Sequence, residues 1–171
     1  MRSYRESGNV IVLGIDPGIS NTGFGVVRRD GSRLLALDGG VCRTTADQPI
    51  ERRVAAVADQ VEALIERYAP DALAIESIYF GKNAQTAFAV GQARGAVLAV
   101  AGRRDLPVFS YTPQQIKLAV CGSGAAEKLQ VQRMVATLLG LRGELPEDHA
   151  ADALAVGICH VNAAPMREAI A

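Results

Sequence analysis

An α/β fold with a mixed five-stranded sheet flanked by helices is the architecture this sequence predicts, on three observations. The continuous apolar run Val10 to Ile15 ends in Asp16 and leaves through Pro17-Gly18, as a strand buried on both faces does. Two further strand-like segments then flank Asp30-Gly31, a dipeptide suited to a tight hairpin turn. Beyond residue 49, stretches with helical spacing alternate with short apolar ones, the pattern of a sheet with helices on both faces. At 171 residues, 49% of them hydrophobic, the chain is long enough for one packed domain and short for two.

Each element has a local reason. Thr22 to Arg29 and Arg33 to Cys42 complete an antiparallel meander with the first strand. From Pro49 to Tyr68 the apolar positions Val54, Val57, Val61, Leu64 and Ile65 recur at helical spacing. Ala72 to Ile75 is a short strand carrying Glu76 at its end. Asn83 to Arg103 is a second long helix, with Ala84, Ala87, Gly91 and Gly95 as a smooth stripe facing either its own sheet or a second copy of the chain. Pro107 to Tyr111 is the fifth strand. Thr112-Pro113-Gln114-Gln115 reads as a helix start with a capping box, and Cys121 to Gly124 ends that helix. Glu127 to Leu139 forms another helix, and Pro146 opens a last one expected to run to about Val161. This succession resembles the ribonuclease-H-like order. The expected boundaries are a flexible N-terminus over 1–9, a single ribonuclease-H-like domain over 10–162 and a C-terminal tail over 163–171.

Composition excludes several classes. The first apolar run is too short for a signal peptide's core, and Gln85, Gln92 and Arg94 interrupt the apolar stretch from Ala84 to Ala101, so no membrane span is expected and the cytoplasm is the expected compartment. Cys42, Cys121 and Cys159 are odd in number and far apart, which suits reduced thiols. The net charge of zero conceals an uneven distribution: residues 77–137 carry seven basic and two acidic side chains, and all three lysines, Lys82, Lys117 and Lys128, lie there. Such a segment suits a polyanion.

The acidic residues suggest the chemistry. Asp16 and Glu76 each close an apolar strand, so in a mixed sheet both carboxylates converge at the edge where α/β proteins bind ligands. His149 and Asp152, three apart, share one helix face, and Asp152 interrupts a run of small apolar residues where a carboxylate needs a partner. Taken singly, each has a plain alternative: a turn former at Asp16, a solvated strand end at Glu76, a first-turn histidine at His149. Glu147 and Asp148 read as stabilisers of the helix N-terminus and His160 as a helix-end residue. Together, Asp16, Glu76, His149 and Asp152 suit a divalent cation, Mg²⁺ or Mn²⁺, with two ions per active site about 3.5–4 Å apart in a phosphodiester hydrolase. Tyr79 and Phe80, just past Glu76, are either loop anchors or rings that stack on an unpaired base; Lys82, Lys117 and Lys128 are candidate phosphate contacts.

Four stretches, Gly14-Ile15-Asp16-Pro17-Gly18, Ala74-Ile75-Glu76, Gly91-Gln92-Ala93-Arg94-Gly95 and Ala151-Asp152-Ala153-Leu154-Ala155, resemble in order and spacing the signatures of the RuvC family of Holliday-junction resolvases. The resemblance runs from about Val10 to Val161. It implies a homodimeric endonuclease that cuts a four-way DNA junction symmetrically and works with the RuvA and RuvB branch-migration proteins. By matching position it assigns metal binding and catalysis to Asp16, Glu76, His149 and Asp152. It also implies a junction-facing aromatic at Tyr79 and phosphate contacts at Lys117 and Lys128. Some members have aspartate where this chain has His149, so direct metal binding and acid–base action are both open for that residue. Three rivals stand beside this reading: an actin-like or sugar-kinase ATPase, whose phosphate-binding hairpin Ile15 to Gly23 also resembles, a ribonuclease-H-like nuclease acting on RNA, and a catalytically silent junction-binding module, against which the intact acidic set argues.

Overall fold

The apolar run ending in Asp16 is the middle strand of a five-stranded sheet. The computed structural model describes residues 9–77, 84–143 and 146–170, with backbone alone from 164 onward. Strands β1 (Asn9–Asp16), β2 (Asn21–Asp30) and β3 (Arg33–Arg43) form the antiparallel meander. Asp30 pairs with Arg33, so the hairpin turn is Gly31-Ser32, one residue later than the expected Asp30-Gly31, with Gly31 in the left-handed conformation at φ +59°. Helix α1 (Ile50–Tyr68) leads to β4 (Ala72–Glu76), α2 (Ala84–Arg103) leads to β5 (Val108–Tyr111), and both strands run parallel to β1 in the order β3-β2-β1-β4-β5.

Alternation along the strands divides the core into two halves. Leu13, Ile15, Leu73 and Ile75 pack under α1 and α2 with Val57, Val61, Val97 and Val100. Val12 and Ala74 turn to the opposite face, covered by α3 (Pro113–Cys121), α4 (Lys128–Leu138) and α5 (Asp148–Ile170). The capping box at α3 forms as expected: Gln115 N–H donates to Thr112 Oγ1 at 3.2 Å, and Thr112 N–H donates to Gln115 Oε1 at 2.8 Å. Among the described residues no helix is long and apolar enough to cross a membrane. The Cys42 thiol donates to the Ala56 carbonyl oxygen at 3.8 Å and the buried Cys159 thiol to that of Gln115 at 3.7 Å.

Helix α5 crosses β1, β2, β3 and β4, and glycines let it approach their backbone. A Cβ on Gly14 would collide with the Ala153 carbonyl oxygen, and one on Gly23 with that of His149. One on Gly25 would sit 2.7 Å from the Leu154 side chain.

Two expectations are corrected here. The last helix does not stop near Val161 but continues to Ile170: Pro165, the one helix breaker beyond Val161, removes a single backbone N–H donor and the helix runs on past it. Residues 163–170, read as a tail, are therefore helical. His160 is accordingly not a helix-end residue. It is 1% exposed, its Nδ1 lies 2.7 Å from Tyr111 Oη, and its ring centroid is 4.5 Å from that of Phe109.

Gly14→Ala should destabilise the fold by at least about 1–3 kcal/mol, since its added methyl meets backbone that cannot rotate away. Gly102→Ala on α2, where a Cβ would meet nothing within 4 Å, should stabilise by about 0.5–1 kcal/mol. Urea midpoints of the two variants against the parent measure both.

Candidate active site

Parallel pairing of β1 and β4 aligns Ile15 with Ile75, so Asp16 and Glu76 leave neighbouring strands at the same level. Both lie on the α5 side by the same alternation that turns Val12 and Ala74 there. The approach of α5 at Gly23 brings its first turn over the strand ends. His149 Nδ1 then lies 2.9 Å from Asp16 Oδ2. One ligand atom from each of Asp16, His149 and Asp152 falls within 4.8 Å of the other two, a spacing that suits a shared cation. Glu76 joins them through a side-chain hydrogen bond with Asp16.

The electrostatics of this group are unfavourable without a cation. Burial, then the charges of Asp16 and Asp152 and the hydrogen bond with Asp16, push the Glu76 carboxyl up to about 7, with Lys117 opposing. Burial and the Asp16 charge also raise Asp152, opposed by Lys128 and His149. A set of carboxylates that holds a proton near neutral pH is chemically suited to exchange it for a hard divalent ion.

Glu76 and Asp152 open onto a cleft of about 240 Å³ whose wall includes Lys117, Lys128, Ile116 and Val131. Lys128 Nζ is 3.0 Å from Asp148 Oδ2 and 3.9 Å from Asp152 Oδ2. Asp148 also accepts a hydrogen bond from Gln132 Nε2. Asp148 thus holds a lysine beside the acidic group, a role beyond the helix-end stabilisation read from the sequence. Glu147 pairs with Arg43.

Asp16, His149 and Asp152 thus form one group at metal-ligand spacing, Glu76 and Asp152 line the cleft together with Lys117 and Lys128, and Tyr79, Phe80 and Lys82 lie outside the described residues. Arg94 was not among the candidates. Its guanidinium donates to the Glu76 carbonyl oxygen at 2.9 Å and to Ser110 Oγ at 2.7 Å. The available signal was a single charge inside a small-residue helix. Thr22, which a phosphate-binding hairpin would turn toward a nucleotide, is 2% exposed and donates its hydroxyl to the Gly18 carbonyl at 2.5 Å.

This sheet order, with carboxylates at the ends of adjacent strands and on a crossing helix, defines a ribonuclease-H-like protein of the resolvase type. The family model described as "Crossover junction endodeoxyribonuclease RuvC" matches residues 12–160. Among relatives of that name, the Moorella thermoacetica protein is 46% identical over 159 residues, 93% of this chain and 95% of its own. The Natranaerobius thermophilus protein is 42% identical over 158 residues, 92% of this chain and 98% of its own. The Thermus thermophilus RuvC structure superposes with a TM-score of 0.86 at 38% identity, covering 92% of this chain and 96% of that one. The same protein solved with a Holliday junction substrate gives 0.88 at the same identity and coverage. The chain belongs to the RuvC family of crossover junction endodeoxyribonucleases.

The raised carboxyls make metal-free stability fall as pH rises. Between its ordinary value of 4.5 and about 7, the Glu76 carboxyl keeps a proton in the fold that the unfolded chain has released, so the folded state loses that advantage on ionising. Metal-free melting temperature should decline from pH 5 to pH 8, reflecting a loss on the order of 2–3 kcal/mol. Glu76→Gln should flatten the decline, and saturating Mg²⁺ should reverse it in the parent protein; differential scanning fluorimetry across pH checks both.

Proposed function

We propose that this chain resolves Holliday junctions, using Asp16, Glu76, His149 and Asp152 to hold divalent cations that hydrolyse a phosphodiester in each of two opposed strands. The carrying observation is the convergence of these four side chains beside a cleft walled by Lys117 and Lys128. Bound Mg²⁺ or Mn²⁺, two ions per site in this reading, would activate water and offset charge on the leaving 3′-oxygen.

The protein's part is to position charge. Asp16 is the hub, because its carboxylate contacts both Glu76 and His149. The His149 imidazole orients that carboxylate and suits Mn²⁺ as well as Mg²⁺ among oxygen ligands. Glu76 holds a proton at its carboxyl until a cation takes that place. Lys128 is held at the cleft by Asp148 and exchanges that partner for a phosphate oxygen when DNA arrives. Lys117, on the same wall, takes a second phosphate contact.

A four-way junction has two-fold symmetry, which a pair of identical subunits matches. The outward face of α2 supports such a pair. Phe88 is 70% exposed, Leu98 is 39% exposed, and added Cβ atoms at Gly91 and Gly95 would meet nothing within 4 Å. Tyr79, Phe80 and Lys82, just before this helix, are assigned to the junction crossover. The reading includes a single nuclease domain over 10–162, a cytoplasmic role and cooperation with RuvA and RuvB.

Incubated with a mobile four-way junction, a linear duplex and a DNA–RNA hybrid in Mg²⁺ or Mn²⁺, the protein should nick only the junction, at symmetric positions. Equal cutting of all three, or an intact junction, would overturn the reading. Loss of an outer-shell partner alone costs roughly 10–100-fold in metal sites, so Asp16→Asn should lower cleavage by more than about 100-fold while gel-shift affinity for the junction persists. Phe88→Asp should shift the sedimentation mass from two chains to one.

A further inference from the structure

Helix α2 contains two charged residues, Arg94 and Arg103, and Arg94, half-buried beside the fully buried Ala93, is the one in its middle. Placing a guanidinium there carries a desolvation cost that an outward-facing arginine avoids. Among the described residues its hydrogen-bond partners are not carboxylates. One Nη donates to the Glu76 carbonyl oxygen at 2.9 Å, and the other to Ser110 Oγ at 2.7 Å. A surface ion pair would explain neither choice.

The geometry ties three elements together at one peptide. Glu76 is the last residue of β4 and pairs in register with Tyr111, the last residue of β5. The Ser77 N–H donates to the Tyr111 carbonyl at 2.8 Å, so the peptide group after Glu76 is bonded to β5 on one side and to α2 on the other. On the opposite face of the sheet, the Tyr111 hydroxyl meets His160 Nδ1 at 2.7 Å, which fixes the β5 end against α5. Asp16 lacks this need, since β1 is flanked by β2 and β4 and paired with Gly23 at its own position. Glu76 sits where β4 ends, and its direction depends on what holds that end.

We infer that Arg94 is a positioning residue: by clamping the Glu76 carbonyl to Ser110, it aims the Glu76 carboxyl into the cation site and links that aim to helix α2. The inference rests on the proposal that Glu76 is a metal ligand. Arg94 touches neither metal nor DNA in this role, and its loss acts through Glu76 alone. A planar guanidinium with donors on two separated nitrogens suits the task, whereas a lysine's three N–H donors share a single nitrogen and fit two separate acceptors less well.

The test is Mg²⁺ and Mn²⁺ affinity, measured by calorimetry on the full chain without DNA, beside junction affinity and melting temperature. Arg94→Met should weaken metal binding roughly 10–100-fold, the range for outer-shell partners, with junction affinity in Ca²⁺ held within about threefold. Arg94→Lys should lie between, and Ser110→Ala should weaken metal binding by a smaller factor. Parent-like metal affinity in a folded Arg94→Met protein would overturn the inference. Should that variant fail to fold, Ser110→Ala decides: weakened metal binding supports the clamp, and unchanged binding overturns it. Glu76→Gln tests the parent reading separately. If its metal affinity equals that of the parent protein, Glu76 is not a ligand, and the fault lies there rather than with Arg94.

Discussion

Everything at this site depends on how closely α5 approaches the sheet. Side chains ordinarily hold a helix and a sheet apart, but at Gly14 and Gly23 there is no room for even a methyl group between the strand backbone and the helix carbonyls. Backbone contact at two points along one helix fixes both its height and its rotation. That single constraint places His149 against Asp16 and brings Asp152 within reach of the same ion. A larger residue under the first turn would lift both ligands together. The small residues of Ala150 to Ala155 serve the same approach from the helix side, so the composition of α5 and the glycines of β1 and β2 answer one requirement.

Close approach also creates the electrostatic problem that the chemistry uses. Three carboxylates forced together at a partly buried edge repel each other, and the structure answers with a Glu76 carboxyl pushed up to about 7, an imidazole on Asp16 and a lysine near Asp152. All three are replaceable. A proton leaves when a cation arrives, and Lys128 already has Asp148 as a second partner. The site is therefore poised by partners weak enough to exchange, which a fully satisfied network of buried ion pairs would not allow. Stability is given up locally where affinity for a cation is needed.

What was legible in the sequence followed from local rules. The run ending in Asp16 and the box at Thr112 each state their conformation within a few residues and form as read, while the hairpin turn falls one residue later than Asp30-Gly31, at Gly31-Ser32. The carboxylates were legible because an acid at the end of an apolar strand, or inside a small-residue helix, contradicts its surroundings. Arg94 contradicts its surroundings in the same way, yet was read only as an argument against a membrane span. Its partners, a backbone carbonyl and a serine hydroxyl on two other elements, leave no charge pattern to detect. His160 and the extent of α5 failed for a related reason. Helix ends are marked by caps or breakers; the end of an apolar face is neither, and the one breaker beyond His160, Pro165, does not end this helix. The pairing of Lys128 with Asp148 joins two helices whose relative placement no local pattern specifies.

Net charge misleads about the substrate for a physical reason. A polyanion responds to the field within about a Debye length, near 10 Å at moderate salt, and not to the charge of the whole chain. Lys117 and Lys128 face one cleft, whereas the acidic excess of the first half is spread over strands and helices elsewhere, partly paired as Glu62 and Glu66 are with Arg104. At the cleft itself the raised Glu76 carboxyl and the lysine beside Asp152 lessen the negative charge that a phosphate meets, so a chain of zero net charge still offers a polyanion a favourable approach there.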